Sequence, residues 1–207
     1  MIRPLGFRGA AFGAALEGDG RGRESNRRAI SEELGIPSDW AYLRQVHGGA
    51  VVRAGQSGRL GDADALFSTV PMLPLAIATA DCYPVVLEAH CAVGIAHAGW
   101  RGAVAGTVRS LREAMAAAGA APVRAAVGPG IGPCCFEVGP EVTARFPGLE
   151  RSTTWGTRSL DLIEAIIRQL EGLEVWTSGM CTHCGGGYHS YRRDGTEERQ
   201  VAVAWVA

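Results

Sequence analysis

Between residues 73 and 98 the chain reads LPLAIATAD, YPVVLEA and AVGIAHA, three short and nearly uninterrupted apolar stretches separated by a residue or two. Each has the length of a strand rather than a helix, and the β-branched content is that of buried strands. They constrain the chain to a fold with a sheet at its core. A length of 207 residues, 47% of them hydrophobic, suits one domain able to bury that core.

Around this centre the pattern alternates between strand and helix. WAYLRQVH, AVVRAG, VRAAV, LEVWTSG and QVAVAWV read as further strands. SNRRAISEELGIP reads as a short helix with a serine cap and a stop at Gly35 and Pro37. From Gly102, Val104, Val108, Leu111 and Met115 recur at helical spacing until Gly119. LDLIEAIIRQL repeats the pattern with Leu160, Ile163, Ile167 and Leu170. GAALEGDGRGR, residues 13–23, reads as a mobile loop, so the first 25 residues are expected to be partly mobile. Strands that follow each other and strands that alternate with helices together favour an α/β to α+β fold. The expectation is a single domain over 1–207 with a mixed β-sheet flanked by helices.

Charge narrows the function. The net charge of −1 argues against a general nucleic-acid binder or membrane-surface protein. All 20 basic residues are arginine, which excludes Schiff-base and P-loop lysine chemistry and leaves arginine as the strong anion receptor. No stretch has the length of a membrane span, and the N-terminus has no apolar signal region. Six cysteines without an export signal suit reduced thiols in a cytoplasm.

The chemistry concentrates in GIAHAGWRGAVAGTV, where a strand hands over to a helix. If CYPVVLEA and CAVGIAHA pair as a hairpin turning between Ala89 and His90, Cys82 lies opposite His97. Directly opposed side chains have Cβ atoms roughly 4.5–5.5 Å apart, close enough to share one metal ion or to form a thiolate–imidazole pair. His47 of RQVHGG follows a strand and precedes two glycines, a third ligand of the right type. Two imidazoles and a thiolate make a zinc set with an open fourth position, where water would ionise near pH ~7. Asp81 adjoins Cys82 as a supporting carboxylate. Arg101 lies near the start of the following helix, where an anion would be favoured. The plainer readings are a structural histidine at 97, a small core residue at 82 and a packing tryptophan at 100.

Two C-terminal features stand apart. CTHCGGGYH holds Cys181, His183, Cys184 and His189, and a Cys-x-x-Cys pair with nearby histidines resembles half a structural zinc site, but no second cysteine pair follows at zinc-ribbon spacing. SYRRDG sets Tyr191, Arg192 and Arg193 at a turn, either a solvated charge pair or an anion clamp.

RQVHG, ADALFS, TADCYPVVL, AHAGWRG, GPGIGPCCFEVG and SYRRDG occur in this order from about Asn26 to the C-terminus. The chain thereby resembles the laccase-domain family, also called multicopper polyphenol oxidase-like or YfiH-type proteins and described as purine nucleoside phosphorylases with adenosine deaminase activity. The resemblance implies a zinc site of His47, Cys82 and His97, and an enzyme for adenosine, inosine, guanosine and methylthioadenosine. It also implies a link to copper-dependent phenol oxidation and to hydrolysis that edits peptidoglycan precursors. The expected partners are a small purine nucleoside and phosphate, for a monomer or homodimer. For phosphorolysis the candidate phosphate clamps are Arg27, Arg101 and Arg192. For deamination the candidate proton-shuttling carboxylates are Asp81 and Glu137. The N-terminal segment is shorter than the family pattern and only NRR, residues 26–28, matches well, so the position of Arg27 is open. The alternatives are a metal-free cysteine hydrolase with Cys82 as nucleophile and His97 as base, and a non-catalytic module stabilised by metal. A four-electron multicopper oxidase needs about ten ligands, mostly histidine, and the chain has five histidines.

Overall fold

Runs of the kind found at 73–98 must be covered on both faces, and the computed structural model shows how. It describes residues 1–13 and 23–207. In chain order the elements are β1 (Ala10–Phe12), α1 (Glu24–Leu34), β2 (Ala41–Arg44), β3 (Val51–Arg53), β4 (Gly58–Asp62), β5 (Ala65–Ser68), β6 (Leu75–Thr79), β7 (Tyr83–Glu88) and β8 (Val93–Ala98). They continue with α2 (Trp100–Ala105), α3 (Thr107–Ala117), β9 (Arg124–Val127), α4 (Pro140–Thr143), β10 (Glu150–Ser152), β11 (Arg158–Leu160) and α5 (Leu162–Ile167). A 3-10 turn (Arg168–Leu170), β12 (Glu174–Thr177), α6 (Tyr191–Asp194) and β13 (Gln200–Ala204) complete the chain.

The strands form two mixed sheets, ordered β1-β13-β6-β2-β4 and β12-β9-β7-β8-β5-β3, with a small β10-β11 ribbon beside them. Alternation along the central strands sorts the side chains. Leu66, Val86, Ile95 and Ala126 of the six-stranded sheet meet Leu43, Leu75, Ile77 and Phe12 of the five-stranded one. The intervening residues Val85, Leu87, Ala96 and Val127 pack with Val108, Leu111 and Met115 of α3 and Leu162 and Ile166 of α5. The outer face of the five-stranded sheet is covered by Ile30 and Leu34 of α1 together with Trp40. The result is a mixed α/β domain with sheets flanked by helices, its layers running helix, sheet, sheet, helix.

Four local expectations need correction. The β7–β8 hairpin turns on His90 and Cys91, with the Ala89 N–H donating to the Ala92 carbonyl. His97 is therefore directly paired with Pro84, not with Cys82. The slip is by two residues, so Cys82 stays on the face of His97 as its diagonal neighbour, still within reach. The helix expected from Gly102 begins at Trp100 and is broken at Gly106, whose φ of 74° is left-handed. The break turns Val104 outward, 36% exposed, while Val108, Leu111 and Met115 are buried. In the later helix Asp161 caps the start by accepting from the Glu164 N–H, and the buried face is Leu162, Ala165 and Ile166. Leu160 belongs to β11. Finally, α1 starts at Glu24 after Arg23, so Ser25 lies inside the helix rather than capping it, whereas Gly35 ends it as expected.

Of the N-terminal segment expected to be partly mobile, Ala10–Phe12 is a buried strand paired with β13, and residues 14–22 of the expected loop lie outside the described residues. Among the described residues no helix is long and apolar enough to cross a membrane.

Candidate metal centre and its cavity

Strands β2, β6 and β8 end at one edge of the molecule, and β7 begins there. The edge is irregular because β2 stops pairing with β6 after Tyr42. Gln45 takes over from the backbone ladder, its amide donating to the Ala78 carbonyl and accepting from the Ala78 N–H. This holds the 46–49 turn against β6. His47 sits in the turn with a left-handed φ of 60°.

The strain at His47 is held by Asp64, fully buried between β4 and β5. One carboxylate oxygen accepts from the Val46 and Gly48 N–H groups on either side of His47, at 3.1 and 2.6 Å. The other lies 2.8 Å from His97 Nδ1. Burial would push the Asp64 carboxyl up, but the hydrogen bonds from His97 and Gly48 hold it below the usual carboxylate range. A single carboxylate thus fixes the turn carrying one imidazole and the orientation of the other, leaving His97 Nε2 toward the site.

His47, Cys82 and His97 meet at this edge, their ligand atoms all within 4.8 Å of one another. The two rings stand at 74° with centroids 4.8 Å apart. Gly99 allows the convergence: a Cβ there would lie 2.7 Å from Cys82 Sγ and 3.5 Å from His47 Cδ2. Burial works against a charged thiolate at Cys82, but the charge and hydrogen bonds of His97 and the hydrogen bond of His47 outweigh it and bring the thiol down to about 6. In the same way burial disfavours imidazolium at His97, and the Cys82 thiolate and Asp64 raise it to about 9. Without metal the pair is a thiolate and an imidazolium.

The donor set fits zinc. Two imidazoles and one thiolate converge from different elements, a carboxylate orients one imidazole, and the set faces a cavity rather than the core. It does not extend to several coppers. His90 is at the β7–β8 turn, His183 rests against Trp155 and His189 lies beside Glu198. None of the three lines the cavity.

The cavity has a volume of about 520 Å³. Its apolar wall is Trp100, Ile131, Phe136 and Leu162, and Arg44, Arg101, Arg192 and Arg199 also line it. Arg101 lies over the Trp100 ring at 4.4 Å. Arg192 lies over Phe136 at 5.4 Å and donates to the Glu137 carbonyl. Arg44 is paired with Asp62 through two hydrogen bonds. Arg27, by contrast, is on α1 and is not part of the lining.

The two candidate carboxylates part company. Glu137 is outside the lining and accepts from Trp155 Nε1 and Thr157 Oγ1, both at 2.9 Å. Asp81 does line the cavity, but both of its oxygens are engaged, one by Thr182 Oγ1 and the other by the Arg192 N–H, each at 2.7 Å. Its own carbonyl accepts from the Ile131 N–H. Asp81, at a left-handed φ of 82°, therefore ties three cavity loops together.

Composition and spacing singled out no role for Asp64, Gln45 and Gly99 at the metal centre, nor for Arg44, Ile131, Phe136, Leu162 and Arg199 of the cavity lining. Asp64 lies in ADALFS and Gln45 in RQVHG, so the motifs held them. The signal lost was spatial, since a carboxylate that serves backbone amides at 46 and 48 leaves no mark in its own neighbourhood of the sequence.

Comparison with known proteins finds relatives over nearly the whole chain. The chain is 38% identical over 211 residues to purine nucleoside phosphorylase ORF3 of Streptomyces griseus, covering 94% of this chain and 86% of the relative. It is 41% identical over 201 residues to a purine nucleoside phosphorylase of Deinococcus radiodurans, covering 89% and 78%. The crystal structure of YlmD from Geobacillus stearothermophilus superposes with a TM-score of 0.85 at 28% identity, covering 100% of this chain and 98% of that one. With residues 7–207 also matching the family described as multi-copper polyphenol oxidoreductase laccase, the chain belongs to that laccase-like family, whose relatives here carry the name purine nucleoside phosphorylase.

Proposed function

We propose that the cavity binds a purine nucleoside and phosphate, and that the protein is a zinc-dependent purine nucleoside phosphorylase that also deaminates adenosine. The observation that carries the reading is the convergence of His47, Cys82 and His97 on a cavity of about 520 Å³ with an apolar wall and arginines. That volume lies within the range of small-molecule sites. The names of the relatives support the same substrate class. Adenosine, inosine, guanosine and methylthioadenosine are the substrates we assign, in a bacterial cytoplasm.

A zinc ion held by the three side chains would supply Lewis acidity and an activated water for deamination. The protein's own part is binding and orientation. Trp100, Ile131, Phe136 and Leu162 take the purine and exclude water. Arg101 and Arg192 hold phosphate for attack on C1′ as the base departs. The gain comes mainly from holding two reactants together. Asp81 keeps the loop of Arg192 in place through its backbone bond.

A second reading draws on one observation, the relay Asp64–His97–Cys82. A carboxylate orienting an imidazole beside a low-pKa thiol is the arrangement of a cysteine hydrolase, and peptidoglycan precursors are then the substrates to try. Incubation of the purified protein with adenosine, with and without phosphate, separates the readings. Adenine and ribose 1-phosphate with phosphate, inosine without it, and loss of both on chelation are expected. Neither product under either condition would overturn the purine assignment, and activity that survives full metal removal would favour the cysteine mechanism.

A further inference from the structure

The half-site at Cys181 and Cys184 finds its missing half in the fold. The 130–136 loop and the 180–185 loop are joined by a bridge between Gly130 and Cys181, with the Thr182 N–H donating to the Gly130 carbonyl. This brings Cys134 and Cys135 beside Cys181 and Cys184, with all four sulfurs within 4.8 Å of one another. Cys134 and Cys184 are 3.8 Å apart. With zinc–sulfur bonds of 2.3 Å, the edge of a tetrahedral zinc–thiolate site is about 3.8 Å. We propose that Cys134, Cys135, Cys181 and Cys184 form a second, structural zinc site, distinct from the cavity and closed to substrate.

The surroundings are those of a thiolate cluster. The Gly132 N–H donates to Cys181 Sγ at 3.2 Å, and the backbone amides of His183 and Cys184 also point at this sulfur. Amides turned toward a sulfur favour its anionic form. Two glycines leave room for the turns. A Cβ at Gly132 would lie 3.2 Å from Cys134 Sγ, and one at Gly185 would lie 2.5 Å from the Cys181 carbonyl oxygen. Cys135 is buried and Cys184 exposed, so the site has a floor in the core and a rim open for metal entry. Binding exchanges four thiol protons for one zinc ion, and the protons leave to solvent with no change of oxidation state. The site joins the loop bearing Ile131 and Phe136 to the loop leading into Tyr191 and Arg192, so it braces two walls of the cavity.

The test is metal stoichiometry and cobalt spectroscopy on the full chain purified under reductant. Wild type is expected to hold two zinc ions per chain. C181S/C184S should hold one, and so should H47A/H97A, whose remaining ion sits in the cysteine site. Cobalt in H47A/H97A should give the intense thiolate charge-transfer and d–d bands of a tetrahedral four-sulfur site, absent from C181S/C184S. Should C181S/C184S fail to fold, C184S alone, at the exposed rim, is expected to weaken cobalt binding at least tenfold. One zinc per chain in wild type, with cobalt spectra unchanged by C181S/C184S or by C184S, would overturn the proposal. So would disulfides among these four cysteines in the reduced protein, read by mass spectrometry.

Discussion

At the scale of single residues the convergence of the three candidate ligands depends on one absent side chain and one buried carboxylate. Gly99 has ordinary extended dihedrals, φ −85° and ψ 176°, so alanine meets no backbone penalty there. The cost of G99A is the contact of the new Cβ with Cys82 Sγ at 2.7 Å. The thiol must move while the core stays as it is. In the C181S/C184S background, where the cysteine cluster holds no zinc, G99A is expected to melt within a few degrees of its parent yet lose zinc affinity and turnover tenfold or more, measured by chelator competition beside activity assays; unchanged affinity would show that the thiol is not a ligand. Asp64 acts through others. D64N would replace an acceptor serving two amides and an imidazole with a group that is half donor. A loss of about 10–100-fold in zinc affinity is expected, the usual cost of removing a carboxylate that orients a ligating imidazole.

The thiol gives a pH signature as well. In metal-free protein the Cys82 thiolate forms above about pH 6 and the His97 imidazolium persists to about 9. The stabilisation this pair gives is lost as pH falls through 6, when the thiol regains its proton, and again as pH rises through 9, when the imidazole loses one. Alkylation of Cys82, followed by peptide mass spectrometry, is expected to accelerate with a midpoint near 6, and zinc should suppress it. A midpoint at an ordinary thiol value of ~8.5 would remove the pair from the account.

At the scale of elements, strands were easier to read than junctions. Buried strands such as Leu75–Thr79, Tyr83–Glu88 and Val93–Ala98 announce themselves because both faces are apolar. Gly58–Asp62, sequence GRLGD, has no such pattern, since it is an edge strand exposed along much of its length and held by backbone pairing to β2. Register failed for a related reason. The β7–β8 turn carries no residue pair that demands a particular turn type, so the hairpin length, and with it the partner of His97, was open. Cys82 and His97 still share a face because a slip of two conserves it. Helical periodicity misled at Gly106, where a series through Val104, Val108, Leu111 and Met115 assumed a straight helix. The sign of one substitution tests the break. In a continuous helix G106A would stabilise by about 1 kcal/mol. At a φ of 74° with nothing within 4 Å of the new Cβ, the strain alone should destabilise by about 1–2 kcal/mol, a Tm lower by a few degrees.

At the scale of the whole molecule, the three candidate ligands are distributed between the two sheets. His47 follows β2 of the five-stranded sheet, His97 ends β8 of the six-stranded one, and Cys82 lies in the short link by which β6 of the first passes to β7 of the second. A metal bound there clamps the sheet edges together, so its binding free energy is also folding free energy. Zinc at a thousandfold excess over its Kd contributes about 4 kcal/mol. For a chain of this size each kcal/mol moves Tm by about 2–4 °C, so zinc should raise Tm by about 8–16 °C. The measurement is made in C181S/C184S, so that the cysteine cluster cannot supply the shift, and repeated with H47A added. The rise should persist in the first and collapse in the second. A rise that survives H47A would mean that the clamp is elsewhere. A collapse of the Tm rise in a protein that turned over no nucleoside even before the H47A change would leave the clamp without the catalysis. Stability and turnover therefore have to be read on the same variants, because the same three side chains are asked both to join the sheets and to face the substrate.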